Sequence, residues 1–189
     1  MRRYLALAVL WLGLLVAGTA LASDKDIDVS VRVDGRRVRV DASFFVAASL
    51  TDVWAVMTDF DHFAEFISNL KSSRILARTG NVITVEQAGE AAVGPIKFPF
   101  ESVREIRLMP FDSVLSKSVS GTLQEFEGQT RFLAEGLGTR VTYHSDAVSK
   151  LWIPPFVGSG FIERETREQL SEFQNEIARR QRRQGSGPR

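Results

Sequence analysis

Residues 161–180, FIERETREQLSEFQNEIARR, place Ile162, Thr166, Leu170, Phe173 and Ile177 three or four positions apart, while Glu163, Arg164, Glu165, Arg167, Glu168 and Glu172 fill the intervening places. That spacing predicts a long helix with a single apolar stripe, from Phe161 to about Arg180. Such a stripe must be covered, and the covering surface is found upstream. Beyond Asn69 the hydrophobic period changes to two and stays there for most of the chain. Arg74 to Arg78 and Val82 to Gln87 flank the turn Thr79-Gly80-Asn81. The Gly/Pro-containing stretch Gly89–Pro95 precedes Phe98 to Leu108, and Pro110 with Asp112 separates that run from Val114 to Ser120. After Gly121, Leu123 to Glu127 and Thr130 to Ala134 flank Gly128, and Gly136-Leu137-Gly138 turns the chain into Arg140 to Val148. With no long helix between these runs, parallel crossovers are excluded in favour of an antiparallel meander. A sheet of this length curls to hide one face, and the terminal helix is its natural lid. The expected class is α+β.

The beginning of the chain completes the plan. Ile27, Val29, Val31 and Val33 alternate with polar residues, Asp34-Gly35 is a turn, and Val38 and Val40 lead into Phe44-Phe45-Val46, a β-hairpin. Ser49 stands three residues before Asp52 in a capping arrangement, with Leu50, Val53, Trp54 and Met57 at helical spacing. A second short helical turn is expected at residues 62–67, after a break at Asp59-Phe60-Asp61. Trp152-Ile153-Pro154-Pro155-Phe156-Val157-Gly158-Ser159-Gly160 reads as a proline-stiffened hydrophobic loop.

Residues 1–22 have the layout of a secretory signal peptide: Arg2-Arg3, an apolar run from Tyr4 to Ala17, and Ala20-Leu21-Ala22 before polar Ser23. Export through the general route to the periplasm is the expectation, with an uncleaved N-terminal anchor as the alternative. Residues 23–180 then form one ligand-binding domain, and residues 181–189 a basic, disordered tail. The chain has 24 basic and 23 acidic residues, and five of the arginines (Arg179, Arg180, Arg182, Arg183 and Arg189) crowd into its end. The folded body is therefore mildly acidic, which argues against nucleic acid as a partner.

The inventory also bounds the chemistry. The absence of cysteine removes disulfides, thiol catalysis and thiolate metal sites. Two histidines, His62 and His144, lie far apart, so neither a metal site nor a cofactor is expected. Gly158-Ser159-Gly160 lacks the preceding strand of a hydrolase elbow and reads as a flexible helix entrance. His144 alternates onto the face of its strand away from Val141, Tyr143 and Ala147 and should meet solvent; His62 should cap the turn beside Asp61. Arg104 shares a strand face with Phe98, Phe100 and Ile106. An unpaired arginine inside would need a carboxylate or a ligand oxygen. The rarity of buried arginine favours an exposed strand end with the side chain reaching out to water.

Residues 53–70, from Val53-Trp54-Ala55-Val56 through Thr58-Asp59-Phe60-Asp61-His62-Phe63 to Ser68-Asn69-Leu70, resemble the signature segment of the START-like superfamily, in its polyketide cyclase/dehydrase and coenzyme-Q-binding branch. Ser120-Gly121-Thr122 through Phe126-Glu127-Gly128, with Gly138-Thr139-Arg140-Val141-Thr142-Tyr143, is similar to the paired late strands of that superfamily, and Pro154-Pro155 precedes the last helix as it does there. The resemblance spans about residues 36–180. It implies the helix-grip fold, a curved sheet wrapped around a long C-terminal helix with two short helices after the first strands, and a hydrophobic ligand held between sheet and helix. Its thirteen phenylalanines point to an apolar lining. The expected set is Phe63 and Phe66 on the short helices, Val85, Phe98, Phe100, Arg104 and Tyr143 on the sheet, and Phe156, Phe161, Leu170 and Phe173 on the closing segment. Lipid, prenylquinone and polyketide-like molecules all suit it. A cyclase or dehydratase using Tyr143, Arg104 or His144 is the enzymatic alternative. A docking domain touching membrane through Trp152, Ile153, Phe156 and the C-terminal arginines is the structural one.

Overall fold

The computed structural model describes residues 26–93, 95–150 and 158–185. The segment read as a signal peptide, the loop residues Trp152 to Phe156 and the last four residues of the chain therefore lie outside the described residues. Eight antiparallel strands form one curved sheet: β1 (Ile27–Asp34), β2 (Arg37–Val46), β3 (Leu70–Thr79), β4 (Val82–Val93), β5 (Ile96–Met109), β6 (Ser113–Gly121), β7 (Leu123–Glu135) and β8 (Gly138–Ser149). Their order is β1-β2-β8-β7-β6-β5-β4-β3. Everything from β3 to β8 is a meander. The one long-range pairing is β2 with β8, which sets Val40 opposite Ser145 and Phe44 opposite Val141. Register shifts interrupt the ladders at Leu70/Ser72 and Ile75/Ala77 in β3, at Val103/Arg104 in β5 and at Leu123/Glu125 in β7. Bulges of this kind bend strands and increase twist, and so give the sheet its concave face.

Helix α1 (Leu50–Met57) begins where expected, with the Ser49 hydroxyl accepting from the Asp52 amide. The turn after it, a 3-10 segment from Phe60 to Glu65, starts two residues earlier than predicted because Phe60 itself is buried and pulls Asp61 and His62 into the turn. Helix α2 (Ser159–Gly185) crosses the concave face. Leu170 and Ile177 of its stripe are buried, and so is Gln174, whose Nε2 donates to the Phe45 carbonyl at 2.8 Å. The helix also outlasts its predicted end: residues 181–185, assigned to the tail, are helical. Glutamine and arginine are good helix formers, and the cations of Arg182 and Arg183 suit a helix C-terminus.

Two glycine readings are corrected. Gly89 opens no loop: β4 runs straight through it. A side chain there would collide with the Asn69 carbonyl and the Phe100 ring, so the glycine permits a close approach inside the sheet. Gly128 likewise divides nothing, since β7 is continuous from Leu123 to Glu135 and the turn before it falls at Gly121-Thr122. A Cβ on Gly128 would sit 2.9 Å from the Phe126 ring.

Candidate functional site

The concave face of the sheet, the short helices and α2 enclose a cavity of about 540 Å³. That volume lies within the usual range for small-molecule sites. Its apolar wall is made by Phe60 and Phe63 from the 3-10 turn, Phe100 and Ile106 from β5, and Leu170 and Phe173 from α2. Phe63, Phe66 and Phe173 form an edge-to-face cluster with ring centroids 5.1 to 5.7 Å apart, which fixes the orientation of the rings that border the space. The opposite wall is polar, with Ser116, Ser118 and Ser120 from β6, Thr130 from β7 and Thr122 from the turn between them. The β5–β6 ladder, shifted by its bulge, sets Arg104 opposite Ser118.

Arg104 is the correction that matters most. It does not reach out to solvent: its guanidinium is packed within the protein and its remaining open surface borders the cavity. Nη2 donates to Gln87 Oε1, and Phe126 lies beneath the guanidinium with its centroid 5.6 Å from the central carbon. Burial pulls its pKa below the ordinary arginine value, with the neighbouring Tyr143 pulling the other way; a guanidinium so placed stays protonated. The rarity of buried arginine favours exposure at a strand end, but Arg104 lies on the face it shares with Phe100 and Ile106, and that face is the inner one.

Of the residues expected around the ligand, Phe63, Phe100, Arg104, Tyr143, Leu170 and Phe173 line the cavity. Phe66 stands one layer behind, against Phe63 and Phe173. Val85 is fully buried in the core without bordering the space, Phe98 lies farther out along β5, and Phe161 stacks under Arg164 at 5.3 Å instead of facing in. Phe156 falls outside the described residues. The inward serines were not anticipated, although Ser116, Ser118 and Ser120 alternate in the sequence. The rule that apolar residues point inward assigns them to the solvent side. In the fold the reverse holds: Val119, between Ser118 and Ser120, is 63% exposed.

His144 points to the outer face, as expected, where Nδ1 lies 2.7 Å from Asp41 Oδ1 with both side chains exposed. It sits in a shallower outer concavity whose polar residues include Asp28, Gln129 and Thr142. His62 Nδ1 lies 2.6 Å from Asp59 Oδ1 rather than beside Asp61. The hydrogen bond to Asp59 holds its pKa above the usual imidazole value. Among the described residues no group of three or more histidine or carboxylate side chains is arranged to hold a metal.

This architecture recurs in solved structures. A STAR-related lipid transfer protein fragment from Xanthomonas axonopodis superposes with a TM-score of 0.68 at 17% identity, covering 82% of this chain and 94% of that one. The Zhui aromatase/cyclase from Streptomyces sp. R1128 gives 0.64 at 16% identity, over 76% and 95% of the two chains. A START superfamily protein from Mycobacterium smegmatis gives 0.64 at 15%, over 75% and 97%. At such identities these likenesses establish the fold alone. No curated protein sequence matches the chain. The sequence itself matches the family described as polyketide cyclase / dehydrase and lipid transport over residues 46–174, which is most of its length. The chain therefore belongs to that family, and its fold is the one seen in the START-like structures.

Proposed function

We propose that this protein is an exported carrier that holds a hydrophobic molecule, a lipid, prenylquinone or polyketide-like compound, between its sheet and α2. The observation that carries the reading is the space of about 540 Å³ beneath the helix, walled on one side by phenylalanine and leucine. Burying an acyl chain there contributes about 0.8 kcal/mol per CH₂, so useful affinity requires no chemical step. The family includes lipid transport in its description, and the Xanthomonas neighbour is described as a lipid transfer protein. Export rests on the signal pattern of residues 1–22. The hydrophobic loop and the exposed Arg182 and Arg183 on the last turn of α2 suit a transient contact with anionic membrane during loading.

The enzymatic reading draws on Arg104 and Tyr143, which share the cavity. It lacks a base. His144 is on the other face of the sheet, and burial, only partly offset by a hydrogen bond with Ser145, lifts the Tyr143 pKa above the ordinary phenol value, so the hydroxyl holds its proton at neutral pH. Carriage is accordingly the better-supported function. Native mass spectrometry of protein purified from its host's periplasm tests it. A co-purifying hydrophobic adduct on a chain beginning at Ser23 is expected. Consistently empty protein that also fails to take up fluorescent acyl chains or quinones would refute carriage, and an intact N-terminus would refute processing.

A further inference from the structure

Within a cavity that is otherwise neutral where it is enclosed, one cation is held without a counter-charge. Arg104 is fixed from behind by a relay of uncharged groups. The Ser73 hydroxyl donates to the Phe60 carbonyl at 2.5 Å, Gln87 Nε2 donates to Ser73 Oγ at 3.0 Å, and Gln87 Oε1 is thereby turned toward Arg104 Nη2. Because its amide nitrogen is committed to Ser73, Gln87 presents its oxygen to the guanidinium. The relay orients the cation and leaves its charge intact.

Satisfaction of the site is incomplete. Arg104 Nε and Ser116 Oγ are both buried and make no hydrogen bond within the protein. Glu101 is the one carboxylate among the described lining residues. It is exposed, and it lies three positions from Arg104, on the other side of the strand. Tyr143 stays neutral, as argued above. A buried cation without an anion is costly, and structures normally complete it with a carboxylate or phosphate. Here the missing anion has a place to stand, because the guanidinium borders the cavity and Ser118 faces it across the ladder.

Building on the carrier reading, we infer that the ligand is an amphiphile with an apolar body and one anionic oxygen group, a carboxylate above all, which pairs with Arg104 while the body lies along Phe63, Phe100 and Phe173. Guanidinium and carboxylate match in both charge and geometry. A free fatty acid and an aromatic acid share this chemistry.

Both sources can be tested with delipidated full-length mature protein at neutral pH. Hexadecanoate is compared with hexadecanol, and naphthoate with naphthalenemethanol, by displacement of a fluorescent probe. The acid of the better-fitting pair should bind roughly ten- to a hundredfold more tightly than its alcohol. The body that shows this preference identifies the source. Arg104→Met should bring the acid down to the level of the alcohol. The acid–alcohol comparison on the wild-type protein stands by itself should that variant fail to fold. Equal affinity for acid and alcohol in both pairs overturns the inference while leaving carriage intact. An acid preference that survives Arg104→Met overturns the assignment to Arg104. Failure of all four compounds to bind overturns both readings.

Discussion

At the end of the grip where α1 and the C-terminal half of α2 pack, the sheet points Ile106, Val114, Phe132 and Val141 inward, and all four are buried. Two to four positions along the same strands and the same face stand Arg104, Ser116 and Ser118, Thr130 and Gly128, and Tyr143. The helix changes in parallel, from Ile177 at the packed end to Thr166 at the hollow one. At this end branched and aromatic side chains close the space off and form the floor of the cavity. In the other half short hydroxyl side chains and a glycine leave the volume open. A cavity of this kind is written into the sequence as a loss of bulk on β6 and β7, from Val114 to Ser116 and Ser118 and from Phe132 to Thr130 and Gly128.

The difference implies opposite responses to mutation. Ile177→Ala, at the packed end and fully buried, should lower stability by about 2–5 kcal/mol. Thr166→Ala, three turns earlier on the same stripe, should change it by less than about 0.5 kcal/mol, since the space beside it is already open and alanine is the better helix former. Urea denaturation of the two variants checks the pair, and equal losses would erase the distinction between the halves. In the hollow half, Ser116→Ala removes a buried hydroxyl that has no partner within the protein. It should stabilise the ligand-free protein by about 1 kcal/mol, the reverse of the usual effect of a buried substitution. A loss of stability in the same assay would show that the hydroxyl is satisfied.

The smallest expected effect belongs to the ionic clasp at the packed end. Arg180 bridges to Asp59 at 2.8 Å and to Glu176 at 2.7 Å, and His62 adds its contact to Asp59. Burial by itself raises the Asp59 pKa, but His62 and Arg180 outweigh it and hold the carboxyl below its ordinary value of 3.8. Its contribution is therefore present above that value and lost as pH falls through the lowered one. His62 is raised above 6.5, so its contribution is complete below 6.5 and is lost as pH rises through the raised value. Both are present together between 3.8 and 6.5. Thermal melts of the wild type against Asp59→Asn should show their largest difference in that window. A pH-independent difference would contradict the clasp.

The sequence makes the packed half legible and the hollow half only partly so. The α2 stripe, the Ser49 cap and the alternation of β8 follow from periodicity, because large apolar residues report directly which side faces the core. The hollow half breaks that rule. Its inner face carries Ser116, Ser118 and Ser120 while Val119 faces water, and Gly89 and Gly128 read as turns although each makes room for a phenylalanine ring in the interior. Arg104 was placed outside on the rarity of buried arginine, a statistic that fails where a cation borders a binding cavity. What could be recognised beforehand was the strict alternation of hydroxyls along β6, which is as periodic as any apolar strand.

The central claim is that the space beneath α2 is kept open for a ligand. Its most direct test is acyl-probe uptake by delipidated wild-type protein beside Ser118→Trp, which places an indole in the cavity without touching the packed half. Saturable one-to-one uptake by the wild type, lost in a Ser118→Trp protein that melts no lower, is the predicted result. Uptake by Ser118→Trp equal to that of the wild type would contradict the account, because the probe would then be bound elsewhere.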